Sequence, residues 1–271
     1  MARLVAKLTI FALVSTLPAA LAHSQAKPCG SDAASSISTD RPQITEASTV
    51  VPCGSLQFEN GFAETEVGSK WGADLPETWM RWGIPAKGEI RFAVPDYFTS
   101  DDTATGFSSG ASDIVLGYKQ QLGPTHGFDV SVIPSLSFPT GSSRISSHGY
   151  DPFVQIPWSR SLSKNWTAAG MFSVAWPTQP TGRNTTGQAS VYFDRQLTNP
   201  WDAWIEYSGS FPERGGLAHI LNMGTCYKPT PHQQIDFHFS VGLSSAAPDY
   251  SVGVGYSVRF QLVQVKKQRT P

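Results

Sequence analysis

The chain has 271 residues, 40% hydrophobic and only 15% charged, with a formal net charge of −1, so it offers no electrostatic footprint for nucleic acid. Its 24 glycines and 20 prolines argue for many turns and against long helices. The length suits one large β domain or two ordinary domains.

Arg3 and Lys7 begin a basic start, and Leu8 to Leu17 is an apolar run, followed by small-residue sites at Ala20-Leu21-Ala22 and Ser24-Gln25-Ala26. Residues 1–26 are therefore expected to be a signal peptide cleaved after Ala22 or Ala26, since the run is shorter than the roughly 20 residues a membrane helix needs. The mature chain is exported. In an oxidising compartment Cys29 and Cys53, which flank the next segment, are a candidate disulfide, with Cys226 left as a buried small residue. Residues 27–54 are polar and aperiodic, which suits a periplasmic segment or a plug rather than a strand.

From Leu56 the pattern changes to alternation with a period of two, the signature of strands whose successive side chains face opposite ways. Twelve such stretches are expected. The first four are Leu56–Phe62, Thr78–Ile84, Glu89–Val94 and Gly110–Leu122. The fifth sets Phe128, Val130, Val132, Pro134, Leu136 and Phe138 against Asp129, Ser131, Ser135 and Ser137. The sixth to ninth carry Ile156 and Trp158, Phe172 and Val174, Val191 and Phe193, and Ile205 and Tyr207 on their apolar faces. The tenth, Ala218 to Lys228, is less regular. The eleventh opposes Ile235, Phe237 and Phe239 to Asp236 and His238, and the twelfth opposes Val254, Tyr256 and Phe260 to Ser257 and Arg259. Pro134 and Pro157 fall inside strands, where the missing N–H removes a ladder bond, so local bulges are expected at both.

Connections after odd-numbered stretches are long and polar, including Val67 to Pro76 and Asp96 to Ser109, whereas those after even-numbered ones are mostly short turns. A soluble lipocalin-like barrel or sandwich shows the same strand period with its apolar face inward. The loop alternation and the sustained polarity of the second face favour an up-and-down barrel in a membrane. In hydrocarbon a sheet must close on itself to pair every backbone group. The fold expected is thus all-β: a transmembrane antiparallel up-and-down β-barrel of about 12 strands over residues 55–262, with residues 263–271 as a periplasmic tail. Trp158, Trp166, Trp176 and Trp201 near segment ends suit aromatic girdles.

Several short motifs occur in a recognisable order. They are Asp40-Arg41-Pro42-Gln43-Ile44-Thr45-Glu46, Val51-Pro52 with Gly54-Ser55-Leu56-Gln57-Phe58-Glu59, Leu75-Pro76-Glu77 with Arg81-Trp82-Gly83, Gly110 with Asp113 and Lys119, and Phe138-Pro139-Thr140-Gly141. In this the chain resembles the MetA-pathway of phenol degradation family of bacterial outer-membrane proteins, over roughly Ser38 to Phe260. The resemblance implies a Gram-negative outer-membrane barrel labelled as a transporter or channel, and its name points to aromatic or hydrophobic solutes. The chain departs from the usual terminal aromatic of such barrels, because Phe260 is followed by eleven further residues.

An apolar face turned to lipid sends the charges inward, since Arg or Lys on the lipid face near the midplane costs about 2–4 kcal/mol. The lumen-facing candidates are Glu59, Glu77, Arg81, Glu89, Arg91, Asp113, Lys119, Asp129, Asp194, Glu206, Asp236, His238 and Arg259. They either set pore selectivity or form ion pairs that fill a narrow barrel. In the plug segment, Asp40, Arg41 and Glu46 are candidates to pair with them. Asp113 and Lys119 are too far apart along one strand to pair with each other.

No nucleophile-elbow glycine pattern, zinc-spaced histidine pair or phosphate-binding glycine motif occurs, so neither catalytic residues, metal nor cofactor are expected. The expected function is a passive outer-membrane channel or transporter for small molecules. A non-transporting structural or adhesive barrel displaying long loops is the alternative, and an outer-membrane barrel hydrolase is the third reading. The expected partners are membrane lipids, a small-molecule solute and the outer-membrane assembly machinery. Oligomeric state is not set by the sequence.

Overall fold

The computed structural model describes residues 29–102 and 106–263. The expected signal peptide and most of the expected tail lie outside the described residues. Twelve strands form the closed wall: β1 (Ser55–Val67), β3 (Trp79–Ile84), β4 (Gly88–Ala93), β7 (Ile114–Gln121), β8 (Asp129–Phe138), β9 (Asp151–Ser161), β10 (Trp166–Ala175), β13 (Thr186–Gln196), β14 (Trp201–Pro212), β15 (Ala218–Thr230), β16 (Gln233–Gly242) and β17 (Tyr250–Gln261). Each wall strand runs antiparallel to its neighbours. Closure is made by β1 against β17, from Ser55↔Gln261 to Glu66↔Tyr250.

Burial is inverted relative to a soluble protein. Arg81, Glu89, Lys119, Gln57 and Glu59 are fully buried, while Trp82, Ile90, Phe172, Ile205, Phe237 and Phe260 are exposed. A soluble barrel would bury the second set and solvate the first. The apolar side chains form the outer surface because lipid covers them there, and the polar face is left to line the interior. This decides between the two architectures that share the strand period: the protein is an outer-membrane β-barrel.

Two expectations about backbone regularity are corrected. The stretches Val67–Pro76 and Asp96–Ser109 are not simple loops. They contain β2 (Lys70–Leu75), β5 (Tyr97–Asp102) and β6 (Gly106–Ala111), which pair in the order β1–β2–β5–β6 and extend the sheet beyond the wall. Gly110 to Leu122 is accordingly not one strand but β6 and β7 separated at Ser112-Asp113. Pro76 and Pro95 sit in two of the three breaks and cannot donate to a ladder. The breaks line up across the sheet and are stitched by single backbone bonds: Gly61 N–H to Pro76 O at 2.6 Å, Val94 N–H to Thr78 O at 2.9 Å, and Ser112 N–H to Asp96 O at 2.7 Å.

The expected bulges at Pro134 and Pro157 do not form. Register is unchanged through both residues, from Ile114↔Phe138 to Gln121↔Ser131 and from Asp129↔Ser159 to Ser137↔Asp151. What is lost is pairing alone: no ladder contact joins Tyr118 and Lys119 to β8, nor Ser131 and Val132 to β9. A single missing N–H breaks a bond without adding a residue, so the side-chain alternation survives.

Both ends of the wall, Ser55 and Gln261, share one rim with the short turns at 85–87, 162–165 and 197–200. The opposite rim carries the longer connections, including residues 176–185 with the two-residue strands β11 (Thr178–Gln179) and β12 (Gly182–Arg183). In an outer-membrane barrel the short-turn rim is periplasmic.

Candidate functional site

The interior is occupied by residues 29–54. This segment has no regular strand, so its amides and carbonyls lack a ladder and must find other partners. The wall provides them. Glu59 accepts from the N–H groups of Asp40 at 2.8 Å and Arg41 at 3.2 Å. Glu206 accepts from Ile44 and Thr45, both at 2.8 Å, and Glu89 accepts from Val51 at 2.8 Å. In the other direction, Lys119 Nζ donates to Ala47 O at 2.9 Å, Arg81 to Ser38 O at 3.1 Å, and Arg259 to Ala33 O at 3.1 Å.

The strongest electrostatic cluster lies between the segment and the β1, β3, β4 and β7 wall. Asp40 meets Arg81 at 3.1 Å, Arg91 at 2.9 Å and Lys119 at 3.0 Å. Arg81 also meets Glu59 at 2.6 Å and Glu89 at 2.8 Å, and Arg91 meets Glu46 at 2.6 Å. Burial works against the Asp40 carboxylate, but the three cations together hold its pKa well below the usual carboxylate range. Glu46 is pushed up to about 7, first by burial and then by the Asp40 anion, with Arg91 and Lys119 opposing.

Arg41 occupies a slot made by absent side chains. Gly61 of β1 faces Gly255 of β17 in the closing ladder, and the guanidinium lies against both. A Cβ at either glycine would collide with it. From this slot Arg41 reaches Glu77 at 2.6 Å and Asp236 at 3.4 Å. Close approach also explains Gly83, over which the carbonyls of Val51 and Pro52 pass. Cys29 and Cys53 are joined by a disulfide, which ties the two ends of the segment together.

The remaining candidates are distributed differently. His238 packs beside Gly253, and its Nδ1 has no hydrogen-bond partner among the described residues. Asp129 lines the periplasmic part of the lumen and accepts from Gln121 Nε2 at 3.1 Å. Asp113 is corrected. It lies outside β7 in the strand break, and its carboxylate accepts from the N–H groups of Gly141 at 2.9 Å and Ser147 at 3.1 Å, so it holds an outer loop instead of lining the wall. Partners that the charge inventory passed over include Gln57, which donates to Glu59 at 2.8 Å and to Ser38 O at 2.8 Å. Ser190 bonds Thr45 at 2.5 Å, and Asn222 donates to Glu206 at 3.1 Å. Their strand parity was the available signal.

The segment does not fill the lumen evenly. Against β9, β10 and β13–β16 a polar cavity of about 230 Å³ remains, lined by Ser38, Thr39 and Ser48 on one side and by Thr167, Tyr192, Asp194, Asp202, Cys226, Lys228 and Gln234 on the other. Lys228 is paired with Asp202 at 2.8 Å, whereas Asp194 has no ion pair among the described residues.

A closed twelve-strand wall with an apolar exterior and an occupied polar interior defines an outer-membrane barrel of the channel and porin architecture. An outer-membrane channel from Pseudomonas putida F1 has the same fold, with a TM-score of 0.64 at 12% identity, covering 81% of this chain and 99% of that one. The NanC porin is similar at a TM-score of 0.52 and 10% identity, covering 75% and 98%. Residues 39–260 match the family described as "Putative MetA-pathway of phenol degradation", and the chain belongs to that family. No curated protein sequence matches it.

Proposed function

We propose that the protein is a passive outer-membrane channel for small molecules, constricted by residues 29–54 acting as a plug. The observation that carries this reading is the asymmetry of the interior. Among the described residues, all the ion pairs of Asp40 and Glu46 fix the plug to the β1–β7 wall. On the opposite side it is held by hydrogen bonds, to Ser159, Ser190 and Glu206, and there the polar cavity persists. A solute would pass between the plug and β10, β13 and β14, leaving through the periplasmic chamber at Asp194, Asp202 and Lys228. The mechanism is diffusion through a charged constriction. Aromatic or hydrophobic compounds are the first solutes to test, on the family description alone.

The reading assigns the protein no catalytic step. The reading includes delivery to the membrane by the outer-membrane assembly machinery, which the barrel architecture supports. The dense pairing of the plug favours one rival, a barrel that displays loops and passes nothing.

Planar-bilayer recording separates the two. The channel reading expects small conductances from the wild-type protein and larger ones after deletion of residues 31–48. Unchanged conductance in the deletion would count against the plug, and a silent deletion protein would support the display barrel. At the chamber, Asp194→Asn is expected to lower cation preference, read as a shift in reversal potential across a salt gradient. An unshifted potential would move the path elsewhere.

A further inference from the structure

The lipid-facing rows of the wall strands are uncharged over most of their length. Among the described residues, Glu64 and Glu66 lie at the outer end of β1, and two arginines lie at the periplasmic end. Arg160 continues the outward row of Val154, Ile156 and Trp158 on β9, and Arg195 continues that of Val191 and Phe193 on β13. Both are exposed. Only β10 separates their strands: Arg160 stands opposite Ala168, Ala168 opposite Phe193, and Arg195 opposite Trp166. Strand spacing then sets their Cα atoms about 10 Å apart across the sheet and about 7 Å along it. Lys164, exposed in the turn between β9 and β10, adds a third cation. None of the three has an ion pair among the described residues.

The side chains are held along the wall by aromatic rings. The Arg160 guanidinium lies 4.9 Å over Phe128, and that of Arg195 lies 5.4 Å over Trp166. Such stacking occupies the guanidinium face and leaves its N–H edge free to donate. Arginine is tolerated on the lipid face only near an interface, so the pair marks the headgroup level of the periplasmic leaflet. Exposed Ile156, Phe172 and Phe193 lie just above it on the same three strands. The surface therefore combines clustered cations with an apolar wall that can carry acyl chains.

We propose that Arg160, Arg195 and Lys164 form a binding site for an anionic glycerophospholipid of the periplasmic leaflet. Its phosphate accepts from the guanidinium edges, the geometry in which arginine binds oxyanions most strongly. Its chains lie along β9, β10 and β13. A zwitterionic lipid brings its own ammonium into the same cluster and binds less well.

The test is native mass spectrometry of the folded protein from detergent containing equal amounts of phosphatidylglycerol and phosphatidylethanolamine. Wild type is expected to retain phosphatidylglycerol by about fivefold over phosphatidylethanolamine. R160Q/R195Q should abolish the preference, and R160K/R195K should keep part of it. Lys87→Gln, at a periplasmic turn of the opposite wall, should leave it unchanged. Folding is checked by the heat-dependent gel shift of the barrel. If the double variant does not fold, R160Q and R195Q alone should each lower the preference. No preference in wild type, an undiminished one in the glutamine variants, or an equal loss in Lys87→Gln would overturn the proposal.

Discussion

With its two carboxylate oxygens Asp40 contacts Arg81, Arg91 and Lys119, three side chains that are themselves wholly buried. Removing one member of a buried ionic group leaves its partners uncompensated, at a cost of about 3–5 kcal/mol. Glu59, Glu89 and Glu46 still share the cations, so Asp40→Asn should fall at the low end of that range. The loss concerns the docked plug and not the wall. The expected outcome is longer and more frequent openings in planar bilayers, with an unchanged gel shift. Glu46 gives a pH dependence with a definite sign. Its pKa in the docked plug is raised from an ordinary 4.5 to about 7, so docking takes up a proton. That contribution is fully present below about 4.5 and is lost as pH rises through 7. The groups facing it are Asp40, Arg91, Lys119 and Gln155, and Asp40 remains ionised throughout the range. Openings should increase between pH 6 and pH 8, and Glu46→Gln should flatten the profile. A wild-type profile already flat would show that Glu46 does not titrate there.

Among elements, the twelve wall strands were legible because one face must satisfy lipid and the other water, which imposes a period of two that composition cannot hide. β2, β5 and β6 were not. Ser100, Ser108 and Ser109 on β5 and β6 are polar on both faces, as suits strands outside the hydrocarbon, and so they look like loop. The same parity sends Glu59, Arg81, Glu89, Arg91, Lys119, Glu206, Asp236 and Arg259 away from the lipid, and all of these are buried, whereas Asp113 lies one residue before β7 begins. Docking of the plug was not legible in detail. Its partners are backbone amides, which any sequence possesses, met by wall carboxylates whose parity says only that they point inward. The prolines offer a test at this scale. Pro134 holds register without a ladder contact to Tyr118. Pro134→Val restores a donor at an outward position where a β-branched side chain suits the lipid face. A regained backbone bond contributes about 1 kcal/mol, so the gel shift should need a higher temperature. A lower one would mean that the proline ring itself contributes packing at this site.

The plug is a closed covalent loop at the foot of the wall as well as part of one polar network with it. The chain enters the plug at Cys29 and leaves it at Cys53, and the disulfide joins these two points at the periplasmic rim. Gly30 N–H also donates to Cys53 O at 3.1 Å, and Gly54 N–H to Gly83 O at 2.8 Å, so the base of the loop is fastened to the turn side of β3. A plug with a free end could withdraw as a thread. A closed loop has to leave as a whole or shift inside the lumen. Leaving as a whole breaks the Asp40 cluster, the Arg41 slot and the Glu206 amide bonds together, and these lie on opposite sides of the barrel. Shifting widens the cavity beside β10, β13 and β14 and breaks the bonds to Ser190 and Glu206 there while the Asp40 cluster holds, which makes it the smaller change. Closing a loop of 24 residues removes entropy from the undocked state worth about 3 kcal/mol. Opening the disulfide returns that entropy to the undocked plug while every docked contact remains. Cys29→Ser with Cys53→Ser, or reduction of the wild-type protein, should therefore raise the open fraction and leave the wall's gel shift in place. A companion measurement tells withdrawal from internal shift. With the disulfide intact, added periplasmic protease should not reach the plug during openings if the shift is internal. With it broken, cleavage between Ser31 and Ser48 should appear in step with the larger open fraction. Cleavage at equal rates in both forms would show that the plug already leaves the lumen as a closed loop.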